Sequence, residues 1–316
     1  MAENNQLAGA HRTADIWSAT LSGIPAFRGR GRMTDAFARI ALIAGNGWGT
    51  CSPAAGATLR VNLADRIERQ MWGGCYEPHV RRALRALVTP GDVFIDIGAH
   101  IGYHAVCAAI AVGPRGRLFA FEADPRNFAR LSEHLAPFPW ATPVAKAVSA
   151  ETGTMVFERS SEPGESGWGT LTNVRDLAKG EHIRVDAISL DDWISANPAG
   201  SIAAMKIDAE GSEVHILRGA QNFLRQARPA IVIEANDVVL RQAGTSALEL
   251  AQMLRAADYE IYELDSATLS LLSAEASPRT DEVIALPKER ARATVDLLQR
   301  SGFPLKGPKS AAEKTR

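Results

Sequence analysis

Short apolar runs alternate along this chain with stretches whose apolar positions recur every three to four residues, and glycine, proline and acid-rich turns separate them. The sharpest unit spans residues 93–113. Val93, Phe94, Ile95 and Ile97 form an apolar run interrupted by Asp96; a glycine-punctuated turn follows, and YHAVCAAIAVG continues as a helix-compatible run to Gly113. That order predicts strand, tight loop and helix, the opening unit of a nucleotide-binding α/β sheet. Ahead of it, residues 1–35 predict a loose or helical lead-in. Residues 36–48 predict a short amphipathic helix that stops at Gly45-Asn46-Gly47, and residues 58–63 alternate like a strand. Residues 64–71 and 78–87 predict helices, the second with Val80, Leu84 and Leu87 on one face and Pro90-Gly91 as its stop.

Downstream, strands are expected over 117–121, 141–148, 154–158, 183–188, 202–207, 229–233, 260–264 and 282–286. Helices are expected over 126–135, 213–227, 247–257 and 288–300, with a short one from Leu190. The last two strands are close enough for an antiparallel end. Residues 159–172, RSSEPGESGWGTLT, predict a mobile loop beside a substrate, with Trp168 covering a ligand or plugging a surface gap. The tail LKGPKSAAEKTR predicts disorder. The organisation read from this is a partly helical lead-in over 1–57, one α/β domain over 58–290, and a helix end with a tail over 291–316.

Composition narrows the partners. A chain of 316 residues with 46% hydrophobic content can fill one large α/β core. A net charge of -1 gives no bulk attraction to nucleic acid, so no nucleic-acid partner is expected. Arg28, Arg30 and Arg32 read either as a phosphate contact or, more economically, as a solvated run. Cys51, Cys75 and Cys107 show no C-x-x-C spacing and fit reduced thiols in a cytoplasmic setting. The N-terminus has no apolar core like a signal peptide's, and no apolar run is long enough to span a membrane. None of these patterns sets the oligomeric state.

The loop chemistry is more telling. Its spacing is Asp96-x-Gly98-x-x-x-Gly102, with an acid where the dinucleotide fingerprint has its first glycine. Gly98 lets the backbone turn close to a ligand, and Gly102 lets the helix start against the strand. An acid there suits a ligand bearing an amino group and a sulfonium, and would repel a pyrophosphate. The expectation is an S-adenosylmethionine (SAM) methyltransferase rather than a nicotinamide enzyme. Glu122, at the tip of the second strand, reads as acceptor for a ribose diol or as an ordinary strand-end acid, with position favouring the first. Asp208, Glu210 and Glu213 crowd the end of the 202–207 strand, at the ligand edge of such a sheet. Glu213 also reads as a helix-start stabiliser.

Several segments together, VFIDIGAHIGYH, FAFEADP, LDDW, KIDAEGSE and LRGA, with CYEPHV upstream, resemble the FkbM family of SAM-dependent methyltransferases across most of residues 58–290. The resemblance implies a class I, Rossmann-like α/β fold: a seven-stranded, mostly parallel sheet with helices on both faces and its last strand antiparallel. It also implies methyl transfer to a hydroxyl of a sugar, glycan or natural-product small molecule. Asp96, Gly98, Ala99, His100 and Gly102 would then shape the methionine side of the cofactor site. Glu122 with Ala123 would hold the ribose, Ala147 would fall in the adenine wall within 146–148, and Asp208 would lie between donor and acceptor. Glu77 either touches the cofactor or is a helix-start acid before Pro78. His100 departs from the asparagine common at that loop position.

An alcohol is a weak nucleophile, so a base helps as its proton leaves. Asp208, Glu210, His104 and His100 are the candidates, with Asp208 preferred; His104, at a helix start, also reads as a packing residue. A magnesium-dependent variant would use Asp208, Glu234 and Asn236 as oxygen ligands. The favoured alternative is that these groups bind substrate hydroxyls or the cofactor amine directly. A non-catalytic SAM-binding protein is the rival from another class.

Overall fold

In the computed structural model, which describes residues 29–44, 47–160, 164, 166–167, 169–171 and 180–306, the chain opens with helix α1 (Arg30–Ile43). An antiparallel hairpin of β1 (Trp48–Cys51) and β2 (Leu59–Asn62) follows, then α2 (Arg66–Trp72) and α3 (Pro78–Leu87). The α/β core begins with β3 (Val93–Ile97), α4 (Tyr103–Val112), β4 (Arg117–Phe121), α5 (Pro125–Leu135) and β5 (Ala141–Val144). A side sheet is inserted next: β6 (Ala147–Val148), β7 (Gly153–Ser160), β8 (Thr170–Leu171) and β9 (Gly180–Ile188), in the order β6-β9-β7-β8. The core then resumes with α6 (Leu190–Ala196), β10 (Ile202–Ile207), α7 (Glu213–Arg218), α8 (Gln221–Gln226), β11 (Ala230–Glu234), α9 (Asp237–Gln242) and α10 (Ala247–Ala256). It finishes with β12 (Tyr259–Leu264), β13 (Leu269–Leu271), β14 (Glu282–Pro287), α11 (Lys288–Arg300) and β15 (Leu305–Lys306).

The main sheet runs β15-β13-β12-β14-β11-β10-β3-β4-β5. Its centre, β11-β10-β3-β4-β5, is parallel, and β14 lies antiparallel between β11 and β12. Seven strands thus follow the expected plan, and β13 and β15 extend the edge. Both faces are covered, which explains the near-continuous apolar runs. On β3, Phe94 faces a cluster with Leu84, Ala105, Leu131 and Leu298, whereas Ile95 and Ile97 face Trp193, Leu217 and Leu254. The chain crosses from β5 back to β10, beside β3. The switch point of the sheet therefore lies between β3 and β10, and the crevice outside their carboxyl ends is the natural ligand site.

Four expectations need correction. The apolar run 141–148 is two strands: the chain turns at Lys146, whose N–H bonds to the Val144 carbonyl, and β6 leaves the main sheet to pair with β9. The helix expected over 213–227 breaks at Gly219, where a Cβ would come within 2.2 Å of the Ser149 carbonyl oxygen. The helix expected from residue 36 starts at Arg30, and Trp48–Cys51, beyond its expected stop, forms a strand that was not anticipated. Leu305 and Lys306 belong to β15 rather than to a disordered tail. Within the lead-in, Ala38 and Cys51 join the same apolar cluster as Ala105 and Leu131, and Arg30 Nε donates to the Gly73 carbonyl. Arg28, Gly45, Asn46, Trp168 and residues 307–316 lie outside the described residues. Among the described residues no helix is long and apolar enough to cross a membrane.

Candidate active site

The loop after β3 is built by backbone contacts that leave no room for side chains at one position. Gly98, at φ +77°, lies so close to β10 that a Cβ would sit 1.7 Å from the Asp208 carbonyl oxygen. Asp208 in turn donates its N–H to the Ile97 carbonyl at 3.0 Å, and the Gly98 and Ala99 N–H groups both reach the Phe121 carbonyl. Gly98→Ala would combine a left-handed backbone with a clash against backbone. It should destabilise the protein by on the order of 3 kcal/mol and abolish ligand binding in the cleft. Chemical denaturation beside calorimetry checks this; a variant within about 1 kcal/mol of the parent would show that the loop yields easily.

His100, at φ +51°, follows in a conformation that Asn and His adopt more readily than most residues. Its N–H donates to Glu122 Oε2 at 2.8 Å, and the Asp124 N–H donates to Glu122 Oε1 at 2.8 Å. The carboxylate at the tip of β4 is thereby fixed from two sides, with lone pairs remaining. Burial pushes its pKa up to about 7. The His100 ring is held by Ser166 Oγ at 2.8 Å from Nε2, and burial lowers its pKa, keeping the imidazole neutral.

These residues border a cleft of about 580 Å³, open to solvent. Of the expected site residues, Gly98, His100, Glu122, Ala123, Ala147, Asp208 and Glu210 line it, as do Lys146 and Val148. Thr170 and Leu171, from the segment expected beside the substrate, line it too, as do Asn127 and Phe157, which the sequence does not single out. The 159–172 segment reaches the cleft through specific ties: Ser166 N–H donates to Asp65 Oδ2, and Asn127 Nδ2 donates to the Ser166 carbonyl. Behind it, Arg159 grips Asp124 with two bonds of 2.6 Å, joining β7 to the β4 tip.

A second, much narrower recess shares Asp208 with the cleft and is lined further by Glu77, Val80, Lys206, Ile207, Val232, Glu234 and Glu282. Lys206, 4% exposed, is its key cation, and its Nζ lies 2.6 Å from Asp208 Oδ2. Burial opposes the Lys206 charge, but Asp208, Asp96 and Glu77 outweigh it and raise the pKa. Asp96 is the register partner of Lys206 on the neighbouring parallel strand, so the two side chains share one face of the sheet. It is 1% exposed, neither carboxylate oxygen has a protein partner, and burial raises its pKa against the pull of Lys206 and His104.

Neither Asp96, Ala99, Gly102 nor His104 lines these two cavities. Glu77, at φ +36°, receives His104 Nε2 at 2.8 Å. Burial pushes the Glu77 pKa up, yet the bond and charge of His104 hold it down at about 2. Glu213 is a loop brace: its Oε1 accepts the Ala209 N–H at 2.8 Å, and burial raises its pKa to about 7. Asn236 caps α9, its Oδ1 accepting the Val238 N–H at 3.1 Å. That engages one oxygen of the expected metal set, and Lys206 already supplies a cation to Asp208. Among the described residues no three His, Cys, Asp or Glu side chains are grouped to hold a metal ion.

Comparison with known proteins places this architecture. The methyltransferase FkbM domain model matches residues 96–261. The 2-O-methyltransferase NoeI of Sinorhizobium fredii is 30% identical over 159 residues, which cover 47% of this chain and 65% of NoeI. The hexuronic acid methyltransferase AglP of Haloferax volcanii is 28% identical over 194 residues, covering 58% of this chain and 76% of AglP. This chain thus spans about two thirds of the length of NoeI. A crystal structure of methyltransferase FkbM from Methylobacillus flagellatus KT superposes with a TM-score of 0.41 at 17% identity, over 70% of this chain and 52% of that one.

Proposed function

This chain belongs to the FkbM methyltransferase family, and we propose that it is a SAM-dependent O-methyltransferase acting on a hydroxyl of a sugar, glycan or similar small molecule. Bound SAM supplies an activated methyl group on a sulfonium. The residues present suit that donor. Glu122, fixed by two backbone amides, offers its remaining lone pairs to a ribose diol. Ala147, Val148, Phe157 and Leu171 give an apolar wall for a base. One relative is named a 2-O-methyltransferase and the other a hexuronic acid methyltransferase; the first name supports an oxygen acceptor and the second an acceptor of the carbohydrate class.

The chain's own part in transfer is alignment and proton acceptance. Asp208 stands where the cleft and the second cavity meet, so it can orient an acceptor hydroxyl and take its proton. Lys206 holds that carboxylate in place. Buried His104 and half-buried Glu77 form a pair behind this point, and we assign them a supporting role.

The observation that carries the reading is the clamped Glu122 at the cleft. S-adenosylhomocysteine should bind the wild-type protein in calorimetry. Glu122→Ala should weaken it by about 10- to 100-fold, as expected for the loss of charge-assisted hydrogen bonds. Absence of heat with the wild type, or unchanged affinity in the variant, would reject this assignment.

A further inference from the structure

The narrow recess beside the cleft has a polar lining out of proportion to its size. Lys206 and Val232 are register partners on parallel β10 and β11, and Asp208 and Glu234 each lie two residues further on, so all four share one face of the sheet. Glu282, the antiparallel partner of Glu234 on β14, and Glu77, at the start of α3, complete that lining. The space between them takes about one water molecule, and it offers the several polar partners that a buried water needs.

Two of these groups have hydrogen-bonding capacity to spare. Lys206 Nζ lies 2.6 Å from Asp208 Oδ2, which secures one oxygen of that carboxylate. A carboxylate gripped at one oxygen still turns about its last torsion, whose preferences are broad. Glu234 Oε2 is buried with no hydrogen-bond partner among the described residues. Burial, joined by the charges of Asp208, Glu213 and Glu210, outweighs Lys206 and raises the Glu234 pKa well above the ordinary carboxylate value. The carboxyl is thus pushed toward its neutral form, in which it has an O–H to donate.

We propose that Glu234 is a positioning residue: through one water bound in the recess, it holds Asp208 in the orientation that receives the acceptor's proton. The Glu234 O–H donates to the water oxygen, and the water donates to Asp208 Oδ1. Oδ1 keeps a second lone pair for the acceptor hydroxyl on the cleft side, since Asp208 borders both spaces. In transfer the acceptor oxygen gives its proton to Asp208 and a lone pair to the methyl carbon, while the carbon–sulfur pair returns to sulfur. Glu234 and the water keep their own protons. The inference rests on the O-methyltransferase reading.

Crystals of the full chain with S-adenosylhomocysteine, from the wild type, Glu234→Gln and Glu234→Leu, read the water directly. Glutamine is shaped like the neutral acid and keeps a donor, whereas leucine has similar bulk and none. The wild type and Glu234→Gln should show one water between position 234 and a singly oriented Asp208. In Glu234→Leu the water should be lost and Asp208 should leave that orientation. With a panel of methyl glycosides as acceptors, Glu234→Leu should lower kcat by about 10- to 100-fold, with KM changed less. Glu234→Gln should recover most of that loss, and calorimetry should show S-adenosylhomocysteine bound alike by all three proteins. A wild-type recess without the water overturns the inference, as does an unmoved Asp208 in the leucine variant or a glutamine variant as slow as the leucine one. No heat from the wild type, or no glycoside methylated, sinks the reading beneath it, while the crystals decide the water on their own.

Discussion

Lys206→Met is expected to cost about 3–5 kcal/mol of stability at neutral pH, the range for stripping the partner from a buried charge. Lys206 is 4% exposed and is the cation facing Asp208, Asp96 and Glu77 together. Methionine fills a similar volume, so the loss would be electrostatic rather than a packing void. The pH dependence carries the test. Without Lys206, the Asp96 pKa, already raised by burial, should rise further. A carboxyl whose folded pKa exceeds its unfolded value contributes stability that is present at low pH and lost as pH rises through that window. The deficit should therefore be larger at pH 7.5 than at pH 5. Urea denaturation at both values reads it directly. A pH-independent deficit below about 1 kcal/mol would mean that Lys206 does not hold these acids.

Asp208→Asn is expected to lower kcat by roughly 10²- to 10⁴-fold, the usual span for a removed proton acceptor. The replacement keeps an oxygen facing Lys206 and nearly the same shape, and Asp96 and Glu77 remain to balance the lysine. Stability and S-adenosylhomocysteine affinity should thus stay close to those of the parent. Because the change removes proton acceptance rather than binding, KM for the acceptor should rise less than kcat falls. Turnover like the wild type's would remove Asp208 from the chemistry. A loss confined to KM would make it an orienting residue only.

The local units of this fold could be read from the chain because their causes are local. The 93–113 strand–loop–helix unit, the Asp124-capped α5 and the Pro78-led α3 all stand where periodicity and capping put them. What escaped depends on contacts between distant segments. Nothing in the 141–148 run says that Val148 will pair with Ile188 rather than stay beside β4. Gly219 looks like a tolerable glycine in a helix until the Ser149 carbonyl is seen against it.

The site divides the same way. Glu122 and Asp208 were visible as acids at strand ends, and both border the cleft. Lys206 was passed over inside a buried apolar run, although a lysine there is itself a signal, since such a charge needs a partner. Its partners become evident only when β3 and β10 lie in register. Glu282 belongs to the same lesson: it lies on a strand read only as sheet edge, yet faces Glu234 across the sheet.

The position of β14 bears on how the polypeptide reaches this form. β14 is flanked by β11 and β12, both made before it. Until residues 282–287 take their place, β11 and β12 have no strand between them to pair their facing edges. Placing β14 closes that gap and brings Glu282 beside Glu234 in one event, so completion of the sheet and assembly of that wall are coupled.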